Sequence, residues 1–422
     1  MINFSLGQFR DLARLKKLSA VFFAFLLFAF VFLRELIPFQ VVDIVFLSVL
    51  ICFAHRVKYA ASGRLIFASM FFFSLSLIIS GFFNYLVLEV MDYIRIFTYL
   101  FIITILIGLN DYFFINRVVF FYSIKIFLML TALFSLVLSL ALVMFYFGKD
   151  MFGLSGLLYA RAGAARVSGF FDNPNYFSFS MFFAFLVSVY AVKLNIASRN
   201  TLFLIVLGGV ISLSRGYVLG VFSFFVIFMA LRFLAVSLGD FRVSLREISL
   251  RFFIFLAVIA SVVLVCAFYA ESIFLSDSFE KVVLQRLEDR GGGLSDRFES
   301  IANWYEFGVG SAQSLLFGNG GFFFEEYSSA NHKAHNSYIR IVGEYGLFSL
   351  ISFLMFLLAF LGRAIALKRN VSAIDLSALL SLALVIFTND YYLLREFWLV
   401  LFFIYFFSSA DLMRGSLGGG NG

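Results

Sequence analysis

The sequence predicts an all-α fold: a polytopic transmembrane helix bundle of about 12 spans, with one large, partly helical loop between spans 9 and 10. Three observations predict it. Of 422 residues, 63% are hydrophobic, 64 are Phe and only 14% are charged. That much apolar surface cannot be hidden in one water-soluble core, so the solvent is lipid. Basic residues recur on alternate connections between the apolar runs, and one long polar stretch, Glu271 to Tyr345, interrupts them.

Each crossing needs about 20 apolar helical residues. On that rule the spans fall at 19–36, 38–54, 64–83, 94–109, 118–147, 175–194, 201–214, 216–237, 250–270, 341–361, 373–388 and 394–409, and residues 1–422 read as one integral-membrane domain. The first run follows Arg10, Arg14, Lys16 and Lys17, like a signal peptide. No small-residue cleavage site comes after it, and Arg34, Glu35 and Pro38 lead directly into the next run, so it reads as an uncleaved span. The run 118–147 is long enough to tilt steeply. The run 201–214 is short and stops at Ser214-Arg215-Gly216, where a re-entrant kink is the alternative. The closing Gly-Gly-Gly-Asn-Gly reads as a flexible tail.

Orientation follows from the connections. Lys16/Lys17, His55-Arg56-Val57-Lys58 with Arg64, Arg117, Lys193/Arg199, Arg242/Arg246/Arg251, Arg363/Lys368/Arg369 and Arg414 fall on one side, which the positive-inside rule assigns to the cytoplasm. Both termini are then cytoplasmic. The Glu89/Asp92 turn, segment 149–174, the 271–340 loop and Asn389 to Glu396 lie on the other face, which is periplasmic in a bacterial inner membrane. The net charge of +7 is explained by this orientation and not by a nucleic-acid surface. Cys52 and Cys266 sit in distant apolar runs and read as inert packing residues. Lys125 is the ionisable residue read as lying well inside a span, near its cytoplasmic end, where its side chain snorkels. No pair of matching, Gly/Pro-broken segments in two related halves marks a secondary transporter.

Arginines crowd the outer face: Arg161 and Arg166 after the fifth span, Arg215 at the tip of the seventh, Arg290 and Arg297 in the polar stretch, and Arg395 before the last span. Guanidinium groups hold phosphate oxygens bidentately and stay charged, so their convergence suits a diphosphate at the membrane surface. The competing reading is pairing with Glu288, Asp289, Asp296, Glu299, Glu325 and Glu326. Arg215 is the least suited to that reading, because its span holds no acid and Ser212, Ser214 and Gly216 leave room for a ligand.

His335-Asn336-Ser337-Tyr338 leads to Glu344 and Gly346. An imidazole there can accept a proton from a sugar hydroxyl near neutral pH; the bland reading is an inert loop histidine. His332 and His335 lie three apart, with Glu325 and Glu326 upstream. That is a weak metal pattern in a Lys-containing loop, so neither a metal nor a cofactor is expected. Ser295 to Phe307 reads as a short amphipathic helix, capped by Ser295 and ended by Gly308, with Arg297 near its N-terminus. Three glycines after Arg290 allow a lid to flex. Gly318-Asn-Gly-Gly321 lacks the Lys and Ser/Thr of a nucleotide loop. Asn173-Pro174 starts the sixth span and tethers the Arg161/Arg166 loop.

In order and spacing, Arg161/Arg166 with Asn173-Pro174-Asn175, Ser212-Leu-Ser-Arg215-Gly216, Arg290/Arg297 with Phe317-Gly-Asn-Gly320, and His335-Asn336-Ser337 with Gly346 resemble the O-antigen ligase and O-antigen polymerase superfamily. The likeness covers roughly 150–360. It implies a GT-C-like, metal-independent glycosyltransferase acting on an undecaprenyl-diphosphate-linked glycan donor. Arg215 and Arg297, with Arg161, Arg166 and Arg290 in support, would bind the diphosphate, and His335 would serve the acceptor. Asn336, Tyr338, Glu344 and Asn173 would support the site. A polymerase would extend a second lipid-linked repeat unit, with a chain-length co-polymerase as a possible partner; a ligase would transfer to lipid A–core. The spacings do not separate the two, and the polymerase is preferred only as the more numerous branch. The non-enzyme alternative is a flippase or exporter of lipid-linked sugars, which would need cations deep in a central cavity.

Overall fold

The computed structural model describes residues 14–33, 39–57, 64–84, 90–146, 154–161, 164–171, 173–212, 214–237, 302, 304–305, 310–321, 323–324, 336–366, 373–388 and 391–418. The expected span 250–270, Cys266, Arg290, Arg297, His332, His335 and most of the expected helix at 295–307 lie outside the described residues.

The helices are α1 (Arg14–Phe32), α2 (Phe39–Cys52), α3 (Arg64–Phe83), α4 (Val90–Gly108), α5 (Asn110–Ile115), α6 (Arg117–Tyr146), α7 (Pro174–Lys193), α8 (Arg199–Val210), α9 (Arg215–Ser237), α10 (Ala312–Phe317), α11 (Ser337–Arg340), α12 (Gly346–Ala366), α13 (Ala373–Val385) and α14 (Arg395–Gly418). Five stretches are long and apolar enough to cross a membrane: Arg64–Phe83, Val90–Gly108, Arg117–Phe145, Pro174–Lys193 and Ser337–Phe360. Asp43–Cys52, Arg199–Val210, Gly216–Arg232 and Ala373–Thr388 are shorter apolar helices.

Two elements depart from the all-α expectation. Strands β1 (Leu158–Arg161) and β2 (Ala164–Val167) pair antiparallel, with Tyr159 opposite Arg166 and Arg161 opposite Ala164. Strands of four residues are too short for alternation to announce them. The start of the tenth expected span is a π-helical turn, Ile341–Tyr345, placed between α11 and α12. π-turns release backbone carbonyls from the regular ladder. Here the carbonyls of Gly343 and Glu344 accept from the backbone N–H groups of Asn319 (2.9 Å) and Gly320 (3.1 Å).

α7 and the first half of α14 are buried on nearly every face. A helix apolar all round belongs at the centre of a bundle. Its rings interleave there: Phe403 packs on Phe183 at 5.6 Å, Phe406 on Phe120 at 4.6 Å, and Tyr190 stacks on Phe407 at 4.8 Å. Outer helices turn Phe71, Phe82 and Leu133 outward, as lipid-facing surface requires. Gly208 and Gly209 bring helices together: a methyl group on Gly208 would overlap Ser135 of α6, and one on Gly209 the Tyr217 ring. Small residues at such crossings let backbones approach closely.

The interior also corrects the reading of charge. Asp43, Asp92, Arg340, Glu344, Asp375, Arg395 and Glu396 are all buried, whereas Lys125 is half-buried. These residues stand near helix ends, in runs whose mean hydropathy stays high, so a span-by-span reading passes over them. Cys52, expected to pack inside, is exposed because it closes α2.

Candidate functional site

A continuous set of contacts gathers one end of the bundle. Arg395, at the start of α14, pairs with Asp43 of α2 at 3.3 Å and lies over the Phe30 ring of α1 at 4.7 Å. Glu396 accepts from Ser180 of α7 at 3.0 Å. Tyr391 stacks on Phe179 at 4.3 Å, and its hydroxyl donates to the Asn175 carbonyl at 3.4 Å.

Asn175 is the hinge of this end. Pro174 opens α7 where its missing N–H costs nothing, and Asn173 caps the helix by accepting from the Asn175 backbone N–H at 2.9 Å. The Asn175 side-chain oxygen then accepts from Arg166 Nη2 at 3.4 Å and from Ser214 Oγ at 3.3 Å. Arg166 Nε donates to the Ser212 carbonyl at 3.1 Å. The β-hairpin, the start of α7 and the Ser212–Arg215 turn before α9 are thus tied at one polar centre. Arg215 is the first residue of α9, and Arg161 ends β1.

Gly216 is what lets the next wall close in. A methyl group there would come within 2.7 Å of Thr388 Oγ1 and 3.0 Å of the Tyr391 hydroxyl. The 3-10 turn Ile386–Thr388 in turn packs against α11, where the Tyr338 hydroxyl donates to the Ala383 carbonyl at 2.9 Å. Asn336 caps α11, its side-chain oxygen accepting from the backbone N–H groups of Tyr338 (2.9 Å) and Ile339 (3.3 Å).

No protein-family model matches this chain, and no curated protein does.

The residues singled out from sequence therefore divide. Arg166, Asn173 and the backbone at Arg215 come together, and Asn336 and Tyr338 stand beside them through residues 383–388. The Arg161 backbone ends the same hairpin. Glu344 does not face that centre: its Oε1 accepts from Arg340 Nε at 2.9 Å, while Arg340 Nη2 reaches Asp92 Oδ2 at 2.6 Å. Arg395, counted among the outward arginines, is buried in an ion pair. His335, Arg290 and Arg297 lie outside the described residues.

Sequence reasoning missed Thr388, Tyr391 and the pairing of Asp92 and Glu344 with Arg340, and it named Ser214 only as leaving room for a ligand and Asn175 only within a motif. The network left one trace, since Arg340 and Glu344 are four apart on one helical face. The Phe317-Gly-Asn-Gly320 segment is a clamp on the π-turn. Asn319 and Gly320 grip its carbonyls, and the Phe317 carbonyl accepts from Ser80 Oγ (2.6 Å) and Asn84 Nδ2 (2.9 Å) at the end of α3. Gly318 and Gly346 have φ of +82° and +86°, a region that favours glycine.

Chemically, this end offers one half-buried guanidinium with its orientation fixed, a serine hydroxyl beside it, and the N-terminus of a long helix beginning at a second arginine. Such a group can hold an anion without a metal ion.

Proposed function

We propose that the protein is an integral-membrane glycosyltransferase of surface-polysaccharide assembly. It transfers a glycan from an undecaprenyl-diphosphate-linked donor to a sugar hydroxyl at the periplasmic face of a bacterial inner membrane. The observation that carries this reading is the meeting of Arg166 with the Ser212–Arg215 turn at Asn175, two basic positions from separate loops at one end of an apolar bundle.

In this reading Arg166 and Arg215, joined by Arg161, Arg290 and Arg297, hold the diphosphate. As the acceptor oxygen bonds to the anomeric carbon, the bond from that carbon to the phosphate oxygen breaks. The negative charge passes to the leaving diphosphate, where fixed guanidinium groups stabilise it. His335, next in the chain to the α11 cap Asn336, takes the acceptor proton. Arg166 and Arg215, described positions given to the diphosphate, stand at one end. That suits a transferase better than a flippase, which needs such cations along a cavity open to each side in turn.

The acceptor is a second lipid-linked repeat unit in a polymerase and lipid A–core in a ligase. Purified protein in detergent, given the lipid-linked donor with each acceptor separately, tests both the activity and its class. Extension of repeat units marks a polymerase. Arg215→Ala and His335→Ala should each abolish product while the variants melt like the parent. Turnover undiminished in both variants would remove the assignment.

A further inference from the structure

The end of the bundle away from the candidate site carries a second feature. Phe121, Tyr122 and Lys125 of α6 and Ile196 line a shallow, open surface hollow whose enclosed volume is only about 10 Å³. Ile196 is delivered there by the turn after α7, in which Asn195 adopts a left-handed conformation, φ +59°. Asn tolerates that region better than most residues.

One cation, Lys125, lines this hollow, and two more, Lys193 and Arg199, lie three residues to either side of Ile196 in the chain. Lys125 is half-buried and takes part in none of the ion pairs found among the described residues. Lys193 and Arg199 are exposed on either side of the turn that carries Ile196. α8 runs beside α6, with Gly208 against Ser135 and Ile196 in the hollow with Lys125, so its first turn lies level with Lys125. Arg199 is the first residue of α8. A cation at a helix N-terminus faces the positive end of the macrodipole. An anion seated between Arg199, Lys125 and the α8 terminus relieves that conflict and neutralises the lysine.

The walls specify what carries the anion. Tyr122 is buried, Phe121 and Ile196 add an apolar floor, and α6 is an apolar helix long enough to cross a membrane. Lys125 stands about two turns, or roughly 12 Å, along α6 from its start, level with the exposed first turn of α8. In a membrane crossed by α6, that polar rim meets lipid headgroups and the apolar walls beside it meet their acyl chains. We propose that this hollow binds the phosphate headgroup of an anionic phospholipid, with Lys125 as the central contact and Arg199 and Lys193 at its rim.

The test is native mass spectrometry of the full chain in detergent, titrated with phosphatidylglycerol and, separately, phosphatidylcholine. Phosphatidylglycerol should bind more tightly. Lys125→Ala should weaken it about fivefold and Lys125→Arg should retain it, with phosphatidylcholine adducts unchanged. Arg199→Ala gives a second, surface variant that leaves the α6 packing intact and should weaken the same adduct. Equal binding of the two lipids, or unchanged phosphatidylglycerol binding in Lys125→Ala and Arg199→Ala, would overturn the proposal. Displacement of the lipid by millimolar glycerol 3-phosphate would also overturn it, in favour of a soluble phosphate ligand.

Discussion

Arg340 donates from Nη2 to Asp92 Oδ2 at 2.6 Å, across 248 positions of sequence, and from Nε to Glu344 at 2.9 Å. All three side chains are about 1% exposed. The network therefore joins α4 to the π-turn that precedes α12, in a place where water cannot take over either charge. Removing Arg340 takes a buried counter-charge from both carboxylates, although Arg95 still donates to Asp92 at 3.1 Å; breaking a buried pair costs up to about 3–5 kcal/mol.

Arg340→Ala should lower the thermal unfolding midpoint in detergent more than any substitution on a lipid-facing surface. Asp92→Ala should do the same, and the double variant should cost clearly less than the sum of the two. A double-mutant cycle read by thermal melts measures this coupling; additive losses would mean that the two residues act separately.

Gly346 tests the clamp between the polar segment and the π-turn. At φ +86°, with the Leu316 carbonyl where a Cβ would stand, Gly346→Ala should cost about 1–3 kcal/mol or more. Gly362→Ala is the control, because nothing lies within 4 Å of the added methyl group, and its melt should match the parent. Equal melts for the two variants would show that the clamp contributes nothing.

These two relationships also mark where sequence reading stops. Apolar runs announced most helices because lipid demands continuous apolar length, and the observed bounds of Arg64–Phe83 and Arg117–Tyr146 lie within a residue of those expected. The tie from Asn173-Pro174 to the Arg166 loop was legible because a cap and a proline are local signals. The pairing of Asp92 with Arg340 was not, since a single acid at a helix end changes mean hydropathy little and its partner lies six spans away by the sequence count. Asn175 was quoted only as part of a motif, because no property of an isolated Asn shows that an arginine and a serine will meet on its oxygen.

Arg395 and Asp43 make a sharper test of the buried charges. Arg395→Met alone should destabilise, leaving Asp43 without its 3.3 Å partner, and so should Asp43→Leu alone. The Asp43→Leu/Arg395→Met pair should recover much of the loss, because Phe30 already supplies an apolar surface at 4.7 Å. Recovery read by thermal melts would identify the pair as a packing device. A stable double variant that has lost glycosyl transfer would instead give Arg395 a part in the chemistry.

Asn175 separates positioning from binding at the candidate site. Its oxygen receives Arg166 at 3.4 Å and Ser214 at 3.3 Å, so Asn175→Ala removes no charge from the site yet takes one anchor from the Arg166 guanidinium, which keeps the Ser212 carbonyl at 3.1 Å, and one from Ser214 before Arg215. The displacement that this permits can cost up to about a hundredfold in rate even when every reacting group remains. Asn175→Ala should therefore lower kcat for glycan transfer by about ten- to a hundredfold, while Asn175→Asp, which keeps both acceptor positions, should retain more activity. On the proposed function, Arg166→Ala should mainly raise the KM for the lipid-diphosphate donor, because the proposal makes Arg166 a phosphate ligand. If Asn175→Ala raised the donor KM and left kcat unchanged, the residue would be a ligand of the diphosphate and not the hinge that sets the two arginines.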